Sequence, residues 1–324
     1  MKTNFVVTLF VAFAAFSINA AAQVNMAFST VGNPGNAADP LTGMGEVDQT
    51  YAIGTYDVTL SQYCAFLNAV ATTSDPYSLY NANLGTDTFI EGITQNITLG
   101  GYSYSVIGGS GADPVTYVSW FDAARFCNWL SNGQPIGAEG NGTTETGAYT
   151  LSGTMSGTGI NKNANAQYWI PTGDEWYKAA YYDPALNSGS GGYWLYPTRS
   201  NTAPGNSWAS RTSPNEANYG WNLTGPSQLT PVGSFTNSAS AYGTFDQGGN
   251  VWQWSDTTYA GAYRVQLGSS WYNDTYDMQS YINSTGDPTT ESDIIGFRIA
   301  TIPEPATTAC LIVGAGMFAL RRRR

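Results

Sequence analysis

The chain has 324 residues, which exceeds an average domain but suits one large irregular domain, and its formal net charge is −11. It contains no histidine, so His-liganded zinc, copper and iron sites and the usual general base near neutral pH are excluded. Any metal would therefore be a hard cation held by oxygen ligands. Hydrophobic residues, at 42%, can form a large core, whereas 37 glycines and 15 prolines indicate long loops.

The N-terminus, residues 1–22, predicts a secretory signal peptide. Lys2 supplies positive charge, Phe5 to Phe16 form an apolar run, and the small residues from Ser17 to Ala22 suit cleavage. We expect this segment to be removed during export, which leaves a body that begins at residue 23. The alternative is a buried N-terminal helix of the folded domain.

Three amphipathic helices are predicted by the same start signal, a capping box. In this motif a Ser or Thr oxygen accepts from the third helical N–H, and the side chain of that third residue accepts from the cap N–H. Apolar residues follow each box at helical spacing. The boxes are Thr59–Gln62, Ser119–Asp122 and Thr172–Glu175.

Short strands are predicted where β-branched and aromatic residues mix between turn-forming residues. Together with the three helices they predict an α+β fold that is irregular and has low secondary-structure content. The predicted strands are Tyr51–Tyr56, Tyr102–Val106, Thr230–Phe235, Ala262–Leu267 and Gly296–Thr301.

Two of the three cysteines, Cys64 and Cys127, belong to the body, and Cys310 falls in the C-terminal tail. An oxidising compartment permits a disulfide between the two body cysteines. Each also lies in an apolar helical pattern, which is typical of a buried thiol. The sequence leaves both outcomes open.

The C-terminus, residues 302–324, combines three features in a fixed order. A Pro-Glu-Pro motif is followed by an apolar segment, 306–320, which is shorter than the roughly 20 residues of a permanent membrane span. A terminal basic cluster then favours a cytoplasmic end. This order resembles the PEP-CTERM sorting signal, which implies transient membrane anchoring and removal of the tail by an exosortase; an ordinary membrane anchor is the alternative. The signal residues are Pro303, Glu304, Pro305, Arg321, Arg322, Arg323 and Arg324.

The body, residues 23–301, holds 22 acidic and seven basic residues, so its formal charge is −15. An acidic surface argues against nucleic acid and anionic membranes as partners. We expect the protein to leave through the secretion machinery and to reach the cell surface or extracellular matrix of a Gram-negative-type bacterium. Polysaccharide is a candidate partner in that setting.

Five blocks in order along the body resemble the formylglycine-generating-enzyme (sulfatase-modifying factor) family. They read Tyr-Ala-Ile-Gly-Thr-Tyr-Asp-Val-Thr from Tyr51, Pro-Val-Thr-Tyr-Val-Ser-Trp from Pro114, Ile-Pro-Thr-Gly-Asp-Glu-Trp from Ile170, Gly-Asn-Val-Trp-Gln-Trp from Gly249, and Gly-Ser-Ser-Trp from Gly268 with Gly-Phe-Arg from Gly296. The resemblance implies the irregular α+β fold that is related to C-type lectins.

The resemblance places the two copper-binding cysteines of the active enzymes on Asn273 and Met278. Thiolates bind Cu(I) and carry the redox cycle, and neither of these side chains can form a thiolate. The resemblance therefore implies that formylglycine chemistry and copper binding are absent. An enzyme with a cysteine-independent activity is the alternative.

The resemblance also implies a calcium site beside the Gly-Asn-Val-Trp-Gln-Trp block. Carried over by position, Asp246 and Gln253 would supply side-chain oxygens, and Gly249 and Val251 would supply carbonyls. Gln253 stands where the family has Glu, which lowers the charge of the ligand set. A structural turn without an ion is the alternative.

Aromatic and polar residues cluster near the position of the former active site, at Trp271, Tyr272, Asn273 and Tyr276. Aromatic faces beside polar groups suit sugar rings. We therefore predict an exported, non-catalytic module that binds a glycan or a peptide with these residues. The alternatives are that these aromatics only pack the core, or that the protein is a structural matrix component without a discrete ligand.

Overall fold

The computed structural model describes residues 23–223 and 227–303, and three of the helices in these ranges begin at the predicted capping boxes. In each box the hydroxyl oxygen accepts from the third helical N–H, and the side chain of the third residue accepts from the cap N–H. The helix starts are therefore fixed by local contacts. The helices are α1 (Leu60–Val70), α2 (Trp120–Ser131), α3 (Gly173–Tyr181) and the short α4 (Leu186–Gly189).

The β-structure consists of short strands in two four-stranded sheets and two small hairpins. The strands are β1 (Phe28–Val31), β2 (Tyr51–Gly54), β3 (Ile93–Thr98), β4 (Gly101–Val106), β5 (Tyr168–Trp169), β6 (Tyr182–Asp183), β7 (Gly192–Tyr193), β8 (Trp252–Tyr259), β9 (Tyr263–Leu267), β10 (Ser284–Gly286), β11 (Ile295–Gly296) and β12 (Ala300–Thr301). One sheet has the order β1-β2-β12-β5 and is antiparallel, and the other has the order β10-β9-β8-β11, in which β11 runs parallel to β8. The hairpins pair β3 with β4 and β6 with β7.

Four of the five strand predictions overlap observed strands; β4 is one residue longer than predicted, and the others are shorter. The prediction of a strand at Thr230–Phe235 is wrong. Pro231 has no N–H for a β-ladder, and Gly233 has a φ of +75°, which bends the chain. The N–H of Ser234 donates to the carbonyl of Pro231 at 3.1 Å, so this segment is a turn.

The main core is a set of aromatic side chains between α1, α2 and the end of the second sheet. The rings of Phe66 and Phe126 pack edge to face with their centroids 5.4 Å apart. The ring of Phe126 also packs edge to face on Phe297, at a centroid distance of 5.5 Å. All three side chains are fully buried. Large rings thus replace long regular elements as the source of buried apolar area, and the α+β prediction with low regular content is confirmed.

Cys64 on α1 and Cys127 on α2 are free and buried. Burial raises the pKa of both thiols, because it disfavours the charged thiolate. The buried-thiol alternative is therefore the one observed, and neither cysteine has the surroundings of a reactive thiolate.

The predicted signal peptide and most of the sorting tail lie outside the described residues. The apolar segment 306–320 and the four terminal arginines belong to this part, so the membrane anchor stays a prediction. Within residues 23–223 and 227–303, no helix has the length and apolar character to cross a membrane.

Candidate functional site

The guanidinium of Arg298 is the centre of the region in which the family blocks meet. Its side chain is fully buried, and its Nη2 lies 3.1 Å from Oδ1 of Asp57. Nη1 donates to the carbonyl of Gly54 at 2.7 Å, Nη2 donates to that of Phe245 at 2.7 Å, and Nε donates to Oε1 of Gln253 at 2.8 Å. One buried cation therefore joins the end of β2, the Asp246 turn and the start of β8.

These contacts do not fit the predicted calcium site. Oε1 of Gln253 also accepts from the indole Nε1 of Trp176 at 2.5 Å, so this oxygen serves two donors, one of them positively charged. Oδ2 of Asp246 accepts from the N–H of Gly233 at 2.6 Å. Ca²⁺ binds through oxygen lone pairs, so an oxygen that already accepts from protein donors beside a buried cation is a poor ligand. Gly249 and Val251, the predicted carbonyl ligands, lie on the same turn. The positive charge beside this turn is the guanidinium of Arg298, in the place where the prediction put the calcium ion.

The carboxyl groups near Arg298 depend on its charge. Burial raises the pKa of Asp57, and the positive charge of Arg298 opposes that rise. Burial also raises the pKa of Asp246 to about 6, opposed by the hydrogen bond from Gly233 and by the charge of Arg298. Without the positive charge of Arg298, burial would raise the pKa of both carboxyl groups further, because nothing would then oppose the loss of solvation as strongly.

The two residues that the resemblance aligned with copper ligands, Asn273 and Met278, make structural contacts. Oδ1 of Asn273 accepts from Oγ of Ser270 at 2.6 Å and from the indole Nε1 of Trp252 at 2.9 Å, and its Nδ2 donates to Asp277. Met278 is fully buried and packs with Tyr196. Asn273 thus stabilises its loop through hydrogen bonds, and Met278 is a residue of the hydrophobic core. In the described ranges, no group of three His, Cys, Asp or Glu side chains is placed to hold a metal ion.

Trp271 was predicted to bind a ligand; its side chain is only 1% exposed, so this role stays a prediction that the observed burial disfavours. Its indole Nε1 donates to the carbonyl of Asp293 at 3.1 Å, and its ring packs with buried apolar residues. The side-chain amide of Asn273 is already hydrogen-bonded to other protein groups. Tyr272 and Tyr276, by contrast, are 57% and 56% exposed. Of the four predicted ligand residues, these two tyrosines are the most exposed, Asn273 is half-buried and Trp271 is buried.

Two exposed aromatic side chains that were not predicted, Phe89 and Trp221, complete a surface over the buried Trp271. The ring of Trp221 lies 4.9 Å from Phe89, 5.2 Å from Trp271 and 5.5 Å from Tyr272, with the rings edge to face. We call Phe89, Trp221 and Tyr272 the aromatic patch. The sequence signal for an exposed Trp221 was a large aromatic residue next to a glycine in a polar loop. Such a segment has no helical or strand periodicity that would place the side chain in the core.

Main-chain hydrogen bonds fix the loops that carry the aromatic patch. The N–H of Trp221 donates to the carbonyl of Trp271 at 2.8 Å, and the N–H of Gly220 donates to that of Asn273 at 2.8 Å. The N–H of Phe89 donates to Oδ1 of Asp87 at 2.6 Å. Trp221 adopts a φ of +52°, which residues other than glycine rarely adopt. Such a conformation persists only where the surrounding contacts hold it.

A model of the sulfatase-modifying factor enzyme 1-like domain matches residues 28–302 of the chain, which is most of its length. The chain belongs to this family. A mouse relative in the family, named inactive C-alpha-formylglycine-generating enzyme 2, is 27% identical over 206 residues. The match covers 58% of this chain and 49% of the mouse protein, so the chain spans about half the length of that relative.

Solved structures support the fold that is expected for a family member. Variable protein 1 of Treponema denticola superposes with a TM-score of 0.54 at 17% identity, covering 87% of this chain and 97% of that one. CarF superposes with a TM-score of 0.50 at 20% identity, covering 86% of this chain and 99% of its own. These similarities show the fold alone, and they confirm the sulfatase-modifying-factor architecture related to C-type lectins.

Replacement of the buried cation tests its structural role. We expect Arg298→Met to lower the free energy of unfolding by about 3–5 kcal/mol, because Asp57 is left buried without its partner. Urea denaturation of the purified protein measures this change. The matched control is Arg199→Met, at an exposed arginine, for which we expect a change within about 0.5 kcal/mol. A loss below about 1 kcal/mol for Arg298→Met would contradict this role.

The misfit of the calcium site predicts thermal stability that is independent of calcium. We expect Tm to be the same in millimolar Ca²⁺ and in excess chelator, since Oε1 of Gln253 and Oδ2 of Asp246 already accept from protein donors. Differential scanning calorimetry makes the comparison. A calcium-dependent rise in Tm that disappears in Asp246→Asn would show that the ion binds there.

Proposed function

We propose that the protein is a non-catalytic glycan-binding module that acts at the cell surface or in the extracellular matrix. The observation that carries this proposal is the aromatic patch, in which Phe89, Trp221 and Tyr272 are 43%, 45% and 57% exposed while in contact with one another or with Trp271. Adjacent large aromatics at the surface are typical of an interaction site.

The geometry of the patch suits sugar rings. Tyr and Trp supply large and rigid contact areas and lose little side-chain entropy on binding, because each has two χ angles. Edge-to-face packing on Trp271 further restricts Trp221 and Tyr272. The apolar face of a pyranose can stack on such rings while its hydroxyls remain in water.

A glycan is favoured over an extended peptide because the main-chain donors around the patch are already used. The N–H groups of Phe89, Gly220, Trp221 and Asn273 all donate within the protein, as does that of Tyr272, which donates to Oγ of Ser270. Extended peptides usually bind by pairing with a free strand edge. A ligand that uses ring faces needs no such edge.

The non-catalytic part of the proposal is supported by the two replaced cysteine positions. Asn273 and Met278 cannot form thiolates, and Cys64 and Cys127 are buried on α1 and α2. The name of the mouse relative, which describes that protein as inactive, is in line with this proposal. An enzyme with a cysteine-independent activity and a purely structural matrix component are the competing functions.

Export and surface localisation rest on the sequence signals at the two ends. The proposal includes a cleaved signal peptide, secretion across the inner membrane, and processing of the PEP-CTERM-like tail by an exosortase after transient anchoring. Mass spectrometry of the protein recovered from its native host would show new termini near residue 22 and residue 302 if both steps occur.

Absence of the thiol chemistry can be tested directly. We expect the purified protein, incubated with Cu(I) and a sulfatase-type cysteine peptide, to give no peptide aldehyde by mass spectrometry, because neither copper-ligand position carries a thiolate. An active formylglycine-generating enzyme serves as the positive control. Conversion of the peptide would contradict the non-catalytic proposal.

The aromatic patch can be tested with an array of neutral, acidic and amine-bearing oligosaccharides. For any glycan that binds, we expect Trp221→Ala or Tyr272→Ala to weaken affinity by about tenfold or more, as exposed anchors do when truncated. The control is Tyr259→Ala, because Tyr259 is 56% exposed and lies at the far end of β8 from Trp252, which contacts Asn273. An equal loss in the control, or binding to no glycan, would favour the structural-component alternative.

A further inference from the structure

We propose that the glycan bound by the aromatic patch is cationic, an amino-sugar polymer with free protonated amines, because carboxylates without cationic partners surround the exposed rings. This inference rests on the proposed glycan-binding function and narrows it to one chemical class. It depends on the position of the carboxylates, on the lack of compensating charge and on the chemistry of ring faces.

Carboxylates lie on two sides of the patch. Asp87 holds the N–H of Phe89 with Oδ1 and accepts from the hydroxyl of Tyr117 with Oδ2. The N–H of Tyr117 donates to the carbonyl of Ser292 at 2.9 Å, which brings the neighbouring residue Asp293 to the same side of the patch. The carbonyl of Asp293 in turn accepts from the buried Trp271 beneath the patch.

The opposite side of the patch carries a second pair of carboxylates. Asp274 and Asp277 follow Tyr272 in the same loop, and Asp277 accepts from Nδ2 of Asn273 at 2.7 Å. Asp274 is exposed and holds the N–H of Tyr276 at 2.8 Å. Acidic groups therefore flank the rings both at Phe89 and at Tyr272.

No basic side chain of the described residues pairs with these four carboxylates. The salt bridges in residues 23–223 and 227–303 join Arg125 to Glu145, Arg264 to Asp256 and Arg298 to Asp57, away from the patch. The segments that form the patch, 87–89, 221 and 271–277, contain no Lys or Arg. The carboxylates are held by neutral donors only, so their charge is available to a ligand.

The distribution of charge over the whole surface adds to the negative potential of the carboxylates around the aromatic patch. Of the 22 acidic residues between 23 and 301, six are buried, whereas four of the seven basic residues are buried. Burial thus removes a larger share of the positive charge than of the negative charge. A surface of one sign raises the local concentration of ligands of the opposite sign and speeds their association. The buried basic residues are Arg125, Lys178, Arg264 and Arg298.

Free amines on a sugar would gain two interactions at this patch. An ammonium group over the face of a Trp or Tyr ring is attracted by the ring quadrupole. The same group within a few ångströms of Asp87 or Asp293 gains a Coulomb attraction that a neutral N-acetyl group lacks. Uronic acid polymers would instead be repelled.

Binding of matched oligosaccharides to the purified full chain tests the inference. We expect a β-1,4-linked glucosamine hexamer to bind at least about tenfold more tightly than the N-acetylglucosamine hexamer in low salt, and a uronic acid hexamer not to bind. The preference should largely disappear in 1 M salt, where charges are screened beyond about 3 Å. Isothermal titration calorimetry gives each affinity.

Substitutions separate the charge from the rings. We expect Asp87→Asn and Asp293→Asn each to reduce the preference for the glucosamine hexamer over the N-acetylglucosamine hexamer about two- to fivefold. Asn at position 87 retains an oxygen for the N–H of Phe89 but loses the acceptor for the hydroxyl of Tyr117, so the ratio of the two affinities rather than either affinity alone reports the charge. The control is Glu46→Gln, at an exposed acidic residue on the loop before β2, which should change neither affinity.

Each other outcome has a distinct meaning. Equal binding of the two hexamers, or no effect of the Asp substitutions, would overturn the cationic ligand but leave glycan binding intact. A hexalysine peptide that binds as tightly as the glucosamine hexamer would overturn the choice of a sugar. Retention of glucosamine binding in Trp221→Ala together with its loss in Asp87→Asn would remove the aromatic patch and with it the proposed function.

Discussion

The hydrogen bonds of Arg298 are the constraint on which the rest of the molecule depends. Its guanidinium reaches the carbonyl of Gly54, 244 residues away in sequence, and also binds Asp57 and Gln253. A buried guanidinium is tolerated only where most of its donors find acceptors. Because these acceptors come from both ends of the body, satisfying one cation requires the N-terminal and C-terminal blocks to come together.

The influence of this centre extends to the surface through main-chain contacts. Arg298 contacts Gln253, and the turn just before Gln253 contains Asn250. The carbonyl of Asn250 accepts from the N–H of Trp271 at 2.9 Å. The carbonyl of Trp271 then accepts from the N–H of Trp221 at 2.8 Å. The exposed rings are therefore tied to the buried core by a short series of hydrogen bonds, which explains how loops without regular structure can hold a defined surface.

Sequence reasoning succeeded where the physical cause is local. Capping boxes involve residues three apart, so Thr59, Ser119 and Thr172 gave correct helix starts. It failed where tertiary contacts decide. Trp271 and Trp221 are both loop tryptophans, and only the fold determines that the first is buried and the second exposed. The calcium role of Gln253 stays a prediction, but the donors to its side chain, Trp176 and Arg298, are distant in sequence and could not be inferred from its position.

The turn that presents Trp221 is held by backbone atoms rather than by its side chain. Gly220 and Trp221 donate their N–H groups to carbonyls of the neighbouring loop, and these bonds do not depend on which residue stands at position 221. Because the side chain at position 221 is not part of this support, the loop can hold a different exposed group there, within the limit that its φ of +52° sets on residue type. Related proteins could thus exchange one exposed ring for another group and acquire new recognition on the same rigid support.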